Sequence, residues 1–170
     1  MEKPFVFKTA VLTDHRGIFS PTPVKFDYKD HLFLRTEWLQ TNLSVNDKAF
    51  TFRGLHFQDP YPQAKLVKVI KGSIIDFIVD LKERDLSVYK YKMEAGGTLF
   101  VPKGFAHGFI TLEPDTIVQY LVDEMYFPQH EHSINWKSFT EISNEIYSLT
   151  DDVIISEKDE NALSIDEYIY

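Results

Sequence analysis

Residues Arg53 to Lys65 read Arg-Gly-Leu-His-Phe-Gln-Asp-Pro-Tyr-Pro-Gln-Ala-Lys. The stretch opens as a strand, breaks at a Pro-rich turn and re-enters a strand at Lys65. Two prolines within four residues end a strand and reverse the chain. Arg53, His56 and Lys65 are thereby expected on paired strands that face one pocket. A second histidine, His107, follows in Val101-Pro-Lys-Gly-Phe-Ala-His-Gly108. Two histidines with a lysine between them point to proton-transfer chemistry on an anionic substrate.

Working outward, β-period signals dominate. In Ser73–Leu81, Ile75, Phe77, Val79 and Leu81 alternate with Ile74, Asp76 and Ile78. In Thr116–Glu124, Val118, Tyr120 and Val122 share a face opposite Ile117, Gln119 and Leu121. Further strands are expected over Phe5–Leu12, Leu34–Ser44, Ala49–Phe57, Lys65–Ile70, Val88–Glu94, Leu99–Val101 and His107–Thr111. Turn signals separate them, among them Lys71-Gly72, Gly96-Gly97 and Glu113-Pro-Asp115. Many short strands at this spacing predict an all-β sandwich or barrel. Helix signals are confined to the end of the chain, where Ser138–Leu149 suits one or two turns. With 170 residues, no internal repeat and no linker, one domain over residues 1–170 is expected.

Composition narrows the function classes. Apolar residues make up 44% and aromatics 15% of the chain, too much for a disordered protein. No apolar run is long enough for a membrane helix, and no signal-peptide core is evident at the N-terminus. Cysteine is absent, which removes disulfides, thiol nucleophiles and thiolate metal sites and is compatible with the cytoplasm. The net charge of −8 argues against a nucleic-acid surface. Nine carboxylates and one lysine, Lys158, lie in residues 141–170, so the rest of the chain is close to neutral and a locally positive site is affordable.

A metal is not expected. Small barrels that bind one often place two histidines one residue apart, but here the pair reads His56-Phe57-Gln58. Lys65 stands near where a carboxylate ligand would be wanted, and His56 with His107 supplies too few ligands for a closed site. The cation must then come from the protein. Lys65 and Arg53 can stabilise a developing oxyanion, a histidine can remove a proton alpha to a carbonyl, and Tyr120, on an inward face, can return one from the other side. Base, oxyanion partner and opposite acid describe an epimerase or keto–enol isomerase. A histidine base also needs an acceptor on its other nitrogen. Asp76 could serve His107 or His56, and Asp159, in Ser156-Glu-Lys-Asp159, could fold back onto the barrel mouth. His15, His31, His130 and His132 show no partners and read as surface residues.

The same segments resemble the dTDP-4-dehydrorhamnose 3,5-epimerase family. The matching stretches are Asp14-His-Arg-Gly-Ile-Phe19, Gln40-Thr-Asn-Leu-Ser44, Arg53-Gly-Leu-His-Phe-Gln58, Gln63-Ala-Lys-Leu-Val67, Asp76-Phe-Ile-Val-Asp80, Val101–Phe109, Tyr120, Tyr126-Phe-Pro128 and Ser156-Glu-Lys-Asp159. The resemblance implies an all-β, cupin-type jelly-roll barrel with a short, partly helical C-terminal segment. It implies a cytoplasmic homodimer with a strand exchanged near the site, a nucleotide-sugar substrate, and no cofactor or metal. It assigns His56 as base with Asp159 as its partner, Tyr120 as acid and Lys65 as the group at the enolate oxygen on sugar C4. His107, with Asp76, would line the sugar pocket. Arg16, Phe19, Gln40, Asn42 and Arg53 match positions that hold the nucleotide diphosphate or sugar, and Tyr126 one that packs near the nucleobase. The expected reaction is cofactor-independent epimerisation of a nucleotide-linked 4-keto-6-deoxyhexose at C3, C5 or both. The alternatives are a 3,4-ketoisomerase or single-carbon epimerase, a metal-dependent cupin oxygenase and a non-catalytic sugar-nucleotide binding module.

Overall fold

The computed structural model describes residues 3–15, 17–21, 37–82 and 86–169. Within them the chain forms two five-stranded antiparallel sheets, a small hairpin and short C-terminal helices. The strands are β1 (Phe5–Lys8), β2 (Leu12–Asp14), β3 (Gly17–Phe19), β4 (Gln40–Asn46), β5 (Phe52–Gln58), β6 (Lys65–Lys71), β7 (Ser73–Asp80), β8 (Val88–Glu94), β9 (Gly97–Val101), β10 (Phe105–Thr111), β11 (Thr116–Val122) and β12 (Glu131–Ser133). One sheet runs β1-β9-β6-β11-β4 and the other β12-β5-β10-β7-β8, with β2 and β3 paired separately. This is the two-layer sandwich that the short, evenly spaced strands predict, in the jelly-roll form that the resemblance implies.

Strand β7 shows why the two layers hold together. All eight of its residues are buried, so both of its faces work. Ile74 and Ile78 join Val67, Val69, Leu99 and Val118 between the sheets. Ile75, Phe77 and Val79 turn the other way, onto a cluster that contains Trp136, Phe139, Ile142 and Ile146. The last two belong to α1 (Thr140–Leu149), and their spacing of four residues places them on one helical face. The helix is longer than the one or two turns expected from sequence, because it is docked by this apolar stripe. Two shorter helices, α2 (Glu157–Glu160) and α3 (Ile165–Ile169), follow.

Several expected boundaries are corrected. The expected strand Phe5–Leu12 divides into β1 and the start of β2, with residues 9–11 between them. The strand expected over Leu34–Ser44 begins at Gln40 and runs to Asn46; residues 34–36 lie outside the described residues. β12 was not expected at all. His130 and His132 are not free surface residues: His130 packs edge-on against Tyr61, and His132 stacks on Phe57 at 5.3 Å between ring centroids. His15 is exposed, and His31 lies outside the described residues.

One close approach positions the site. A Cβ on Gly54 would meet the Gly108 Cα at 2.5 Å, and Gly54 has φ +136°, a conformation open to glycine. Strands β5 and β10 therefore press together at this point, and two residues further on His56 faces His107 across the same pair.

Candidate active site

A cavity of about 630 Å³ opens between the sheets, within the usual range for small-ligand sites. Both layers supply its chemistry. From one sheet come Gln40 and Asn42 on β4, Lys65 on β6 and Tyr120 on β11. From the other come Arg53 and His56 on β5, His107 on β10 and Glu131 on β12. Tyr126 and Lys158 stand at the wall as well. The inward face of β11 is set by alternation: Tyr120 shares it with the buried Val118 and Val122, and it lies opposite Asn42 on one side and Val67 on the other.

The two histidines each meet the carboxylate that their neighbourhood dictates. His56 Nε2 donates to Asp159 Oδ1 at 2.6 Å. Ser156 caps α2 by accepting from the Asp159 N–H, and the Gly54 N–H donates to the second carboxylate oxygen at 3.3 Å. The aspartate sits only 3% exposed, not in the solvated tail that its acidic surroundings suggest. Burial by itself raises its pKa, but the hydrogen bond and charge of His56, with those of Gly54 and Ser156, outweigh it and hold the carboxyl below the usual aspartate value. An ionised Asp159 can only accept, so it fixes the Nε2–H tautomer and leaves Nδ1 as the proton acceptor.

Asp76, fully buried, serves His107: His107 Nε2 donates to Asp76 Oδ2 at 2.9 Å. Burial raises the Asp76 pKa, with His107 and Lys65 opposing. Burial likewise lowers the His107 pKa against the pull of Asp76, so the imidazole stays neutral at neutral pH. The choice left open by sequence, which carboxylate orients which histidine, is decided by the strand on which each sits.

Lys65 is 7% exposed. Its ammonium donates to the His56 carbonyl at 3.2 Å. Burial lowers its pKa from 10.5 to about 8, against the charges of Glu131 and Asp76. Burial also raises the Tyr120 pKa, partly countered by Arg53, so the phenol keeps its proton. At the mouth, Gln40 Nε2 donates to Asn42 Oδ1 at 2.6 Å, and the Tyr126 N–H donates to Gln40 Oε1 at 3.4 Å.

Sequence reasoning missed Glu131 and Lys158. Glu131 accepts from the Tyr126 hydroxyl at 2.9 Å and from the Lys158 ammonium. Burial raises its pKa, but Lys158, His56 and Tyr126 outweigh it and lower the value overall. The adjacency of Lys158 to Asp159 was the available signal; Glu131 had none. Phe19 is 67% exposed and does not line this chain's own cavity. Arg16 lies outside the described residues. Among the described residues no three histidine or carboxylate side chains converge as metal ligands, and no helix is long and apolar enough to cross a membrane.

Comparison with known proteins agrees with this geometry. The family model for dTDP-4-dehydrorhamnose 3,5-epimerase matches residues 1–167. The enzyme of that description from Methanothermobacter thermautotrophicus is 34% identical over 95% of this chain and 89% of its own length. That from Escherichia coli is 31% identical over 99% and 93%. Among solved structures, the Bacillus anthracis enzyme with TDP and PPi bound is 35% identical, covers 95% of this chain and 94% of its own, and superposes with a TM-score of 0.78. The Legionella pneumophila enzyme in complex with dTDP-4-keto-L-rhamnose is 26% identical, covers 98% and 89%, and gives 0.83. With the family model matching nearly its whole length and relatives 34% and 31% identical covered almost end to end, the chain belongs to the dTDP-4-dehydrorhamnose 3,5-epimerase family.

Proposed function

We propose that this isomerase epimerises dTDP-4-dehydro-6-deoxyglucose at C3 and C5 with its own side chains and no cofactor. His56 Nδ1 removes the proton from a carbon next to the C4 ketone, while Asp159 steadies the imidazolium that forms. Electron density moves onto O4, where the Lys65 ammonium stabilises the enolate. Tyr120 returns a proton to the opposite face. Both target carbons flank the same carbonyl, so one lysine serves both steps. Positioned acid–base groups contribute about 10²- to 10⁴-fold each, and a fixed oxyanion donor about 3 kcal/mol.

The observation that carries this reading is the placement of base and acid on facing sheets. His56 belongs to β5 and Tyr120 to β11, so a sugar held between the layers meets them from opposite sides. His107, held by Asp76, would line the sugar pocket. Gln40, Asn42 and Arg53 would hold the diphosphate, with Tyr126 beside the base.

The active unit is a cytoplasmic homodimer of one-domain subunits. Exposed Leu43 and Val45 on edge strand β4 offer apolar surface there. The exposure of Phe19 away from its own cavity supports a role for the β2–β3 hairpin in the partner's cavity, as strand exchange requires.

The test is incubation with dTDP-4-dehydro-6-deoxyglucose in heavy water, followed by NMR of both carbons. Wild type should incorporate deuterium at C3 and C5, and His56→Asn should lose it. Near-normal incorporation by His56→Asn would remove the base assignment.

A further inference from the structure

Arg53 is oriented in the cavity by a residue that no sequence motif singles out. Its Nε–H donates to Asn46 Oδ1 at 2.7 Å. Asn46 ends β4 and is 2% exposed. Its Nδ2 donates to the Thr116 carbonyl at 3.0 Å, and the Ser44 hydroxyl donates to the same Oδ1 at 3.3 Å. The Thr116 bond decides the amide's orientation: nitrogen must face that carbonyl, so oxygen must face Arg53. An acceptor fixed this firmly, on a neighbouring sheet, sets the plane of the guanidinium.

The plane matters because a guanidinium recognises phosphate through two parallel N–H groups. With Nε–H spent on Asn46, the donors of the terminal nitrogens remain. No hydrogen bond to another described residue engages them. Lys65 and His107 occupy the buried depth of the cavity, while Arg53 is exposed nearer its mouth, where the charged part of a nucleotide sugar would lie.

We propose that Asn46 is a positioning residue that acts through Arg53, holding the guanidinium edge toward the diphosphate of the substrate. This rests on the reading of the cavity as a nucleotide-sugar site. The diphosphate is equally charged before and after enolisation, so Asn46 serves binding that is uniform along the reaction. Its loss should appear in KM and not in kcat.

The experiment is a double-mutant cycle on the full-length protein, with dTDP-4-dehydro-6-deoxyglucose as substrate. Asn46→Ala should raise KM by about tenfold or more, as expected for truncating a bond to a charged group, with kcat within about twofold of wild type. In an Arg53→Ala background the same change should alter KM less than about twofold. Equal factors in both backgrounds would show that Asn46 merely braces β4, and would overturn the proposal. Asn46→Leu keeps the side-chain volume and removes the acceptor for Arg53, and it covers the case in which Asn46→Ala fails to fold. Its effect on KM should likewise shrink below about twofold in the Arg53→Ala background, and equal factors in both backgrounds would equally overturn the proposal. An inactive wild type would remove the reading of the cavity and this inference with it. An active wild type with independent effects at the two positions would remove the inference alone.

Discussion

The Lys65 ammonium donates to the backbone carbonyl of His56 at 3.2 Å, a bond that joins β6 of one sheet to β5 of the other. The proposed base and the proposed oxyanion partner are therefore tied to the same point of the cavity wall. Both side chains open onto the same cavity, so a ketone held there can meet the imidazole and the ammonium together. In a water-poor cleft such a contact is stronger than in bulk solvent.

The state of Lys65 makes a pH prediction. Burial lowers its pKa to about 8, and the ammonium is the useful form. As pH rises through that value the ammonium is lost, so kcat/KM should fall above about pH 8, approaching tenfold per unit. Lys65→Met should lower kcat by about 10²- to 10³-fold and abolish that alkaline limb. The same depressed pKa means that the folded state binds the proton less tightly than the unfolded chain. Lys65 therefore weakens folding at neutral pH, and the penalty is relieved as pH rises from 8 toward 10.5. Lys65→Met should stabilise the fold by about 1 to 3 kcal/mol, read by urea unfolding at pH 7.

Asp159→Asn replaces an acceptor-only carboxylate with an amide whose NH2 can donate to His56, so it no longer fixes the Nε2–H tautomer and loses the charge that steadies the imidazolium. The activity should drop by about 10²-fold or more, with the NMR exchange assay falling in parallel. Its pKa shift has the opposite sense to that of Lys65. The folded value lies below 3.8, so the stabilisation is complete above the unfolded value and is lost as pH falls through the folded one. Wild type should lose stability relative to Asp159→Asn only on acidification below about pH 4.

Tyr120→Phe removes the phenolic proton but leaves the base and the ammonium in place. Deuterium exchange at the carbons should persist at a larger fraction of wild type than does the appearance of epimerised product. Equal losses in the two readouts would assign Tyr120 to binding instead of proton return.

Ile142→Ala opens a cavity under β7, since Ile142 is fully buried against the outer face of that strand. A loss of about 2 to 4 kcal/mol in unfolding free energy is expected. KM should be unchanged, because α1 does not reach the cavity lining.

The parts that were legible are those whose cause is local. Alternation along Ser73–Leu81 marks a strand, whose burial on both faces only the structure shows, and the period of two that puts Lys65 on one face of β6 with the buried Val67 and Val69 accounts for its inward direction. Turn residues marked most strand boundaries to within a few positions. β12 was invisible, because Glu-His-Ser carries no apolar period and becomes a strand only by pairing with β5. Helix α1 was underestimated for a related reason: its length is sustained by docking of Ile142 and Ile146, which adds energy that propensity alone lacks.

Residue types and spacing determined that this chain is all-β and that a histidine, a lysine and a tyrosine face inward, because side-chain direction along a strand is a local property with a period of two. The motifs it carries also determined its family. Only the tertiary structure decided the pairings: Asp159 with His56 across 103 positions of sequence, Asp76 with His107, Glu131 with Lys158, and Asn46 with Arg53. Those partners lie on different strands or helices, and which of them meet depends on how two twisted sheets close over one another, a long-range outcome that no local pattern encodes.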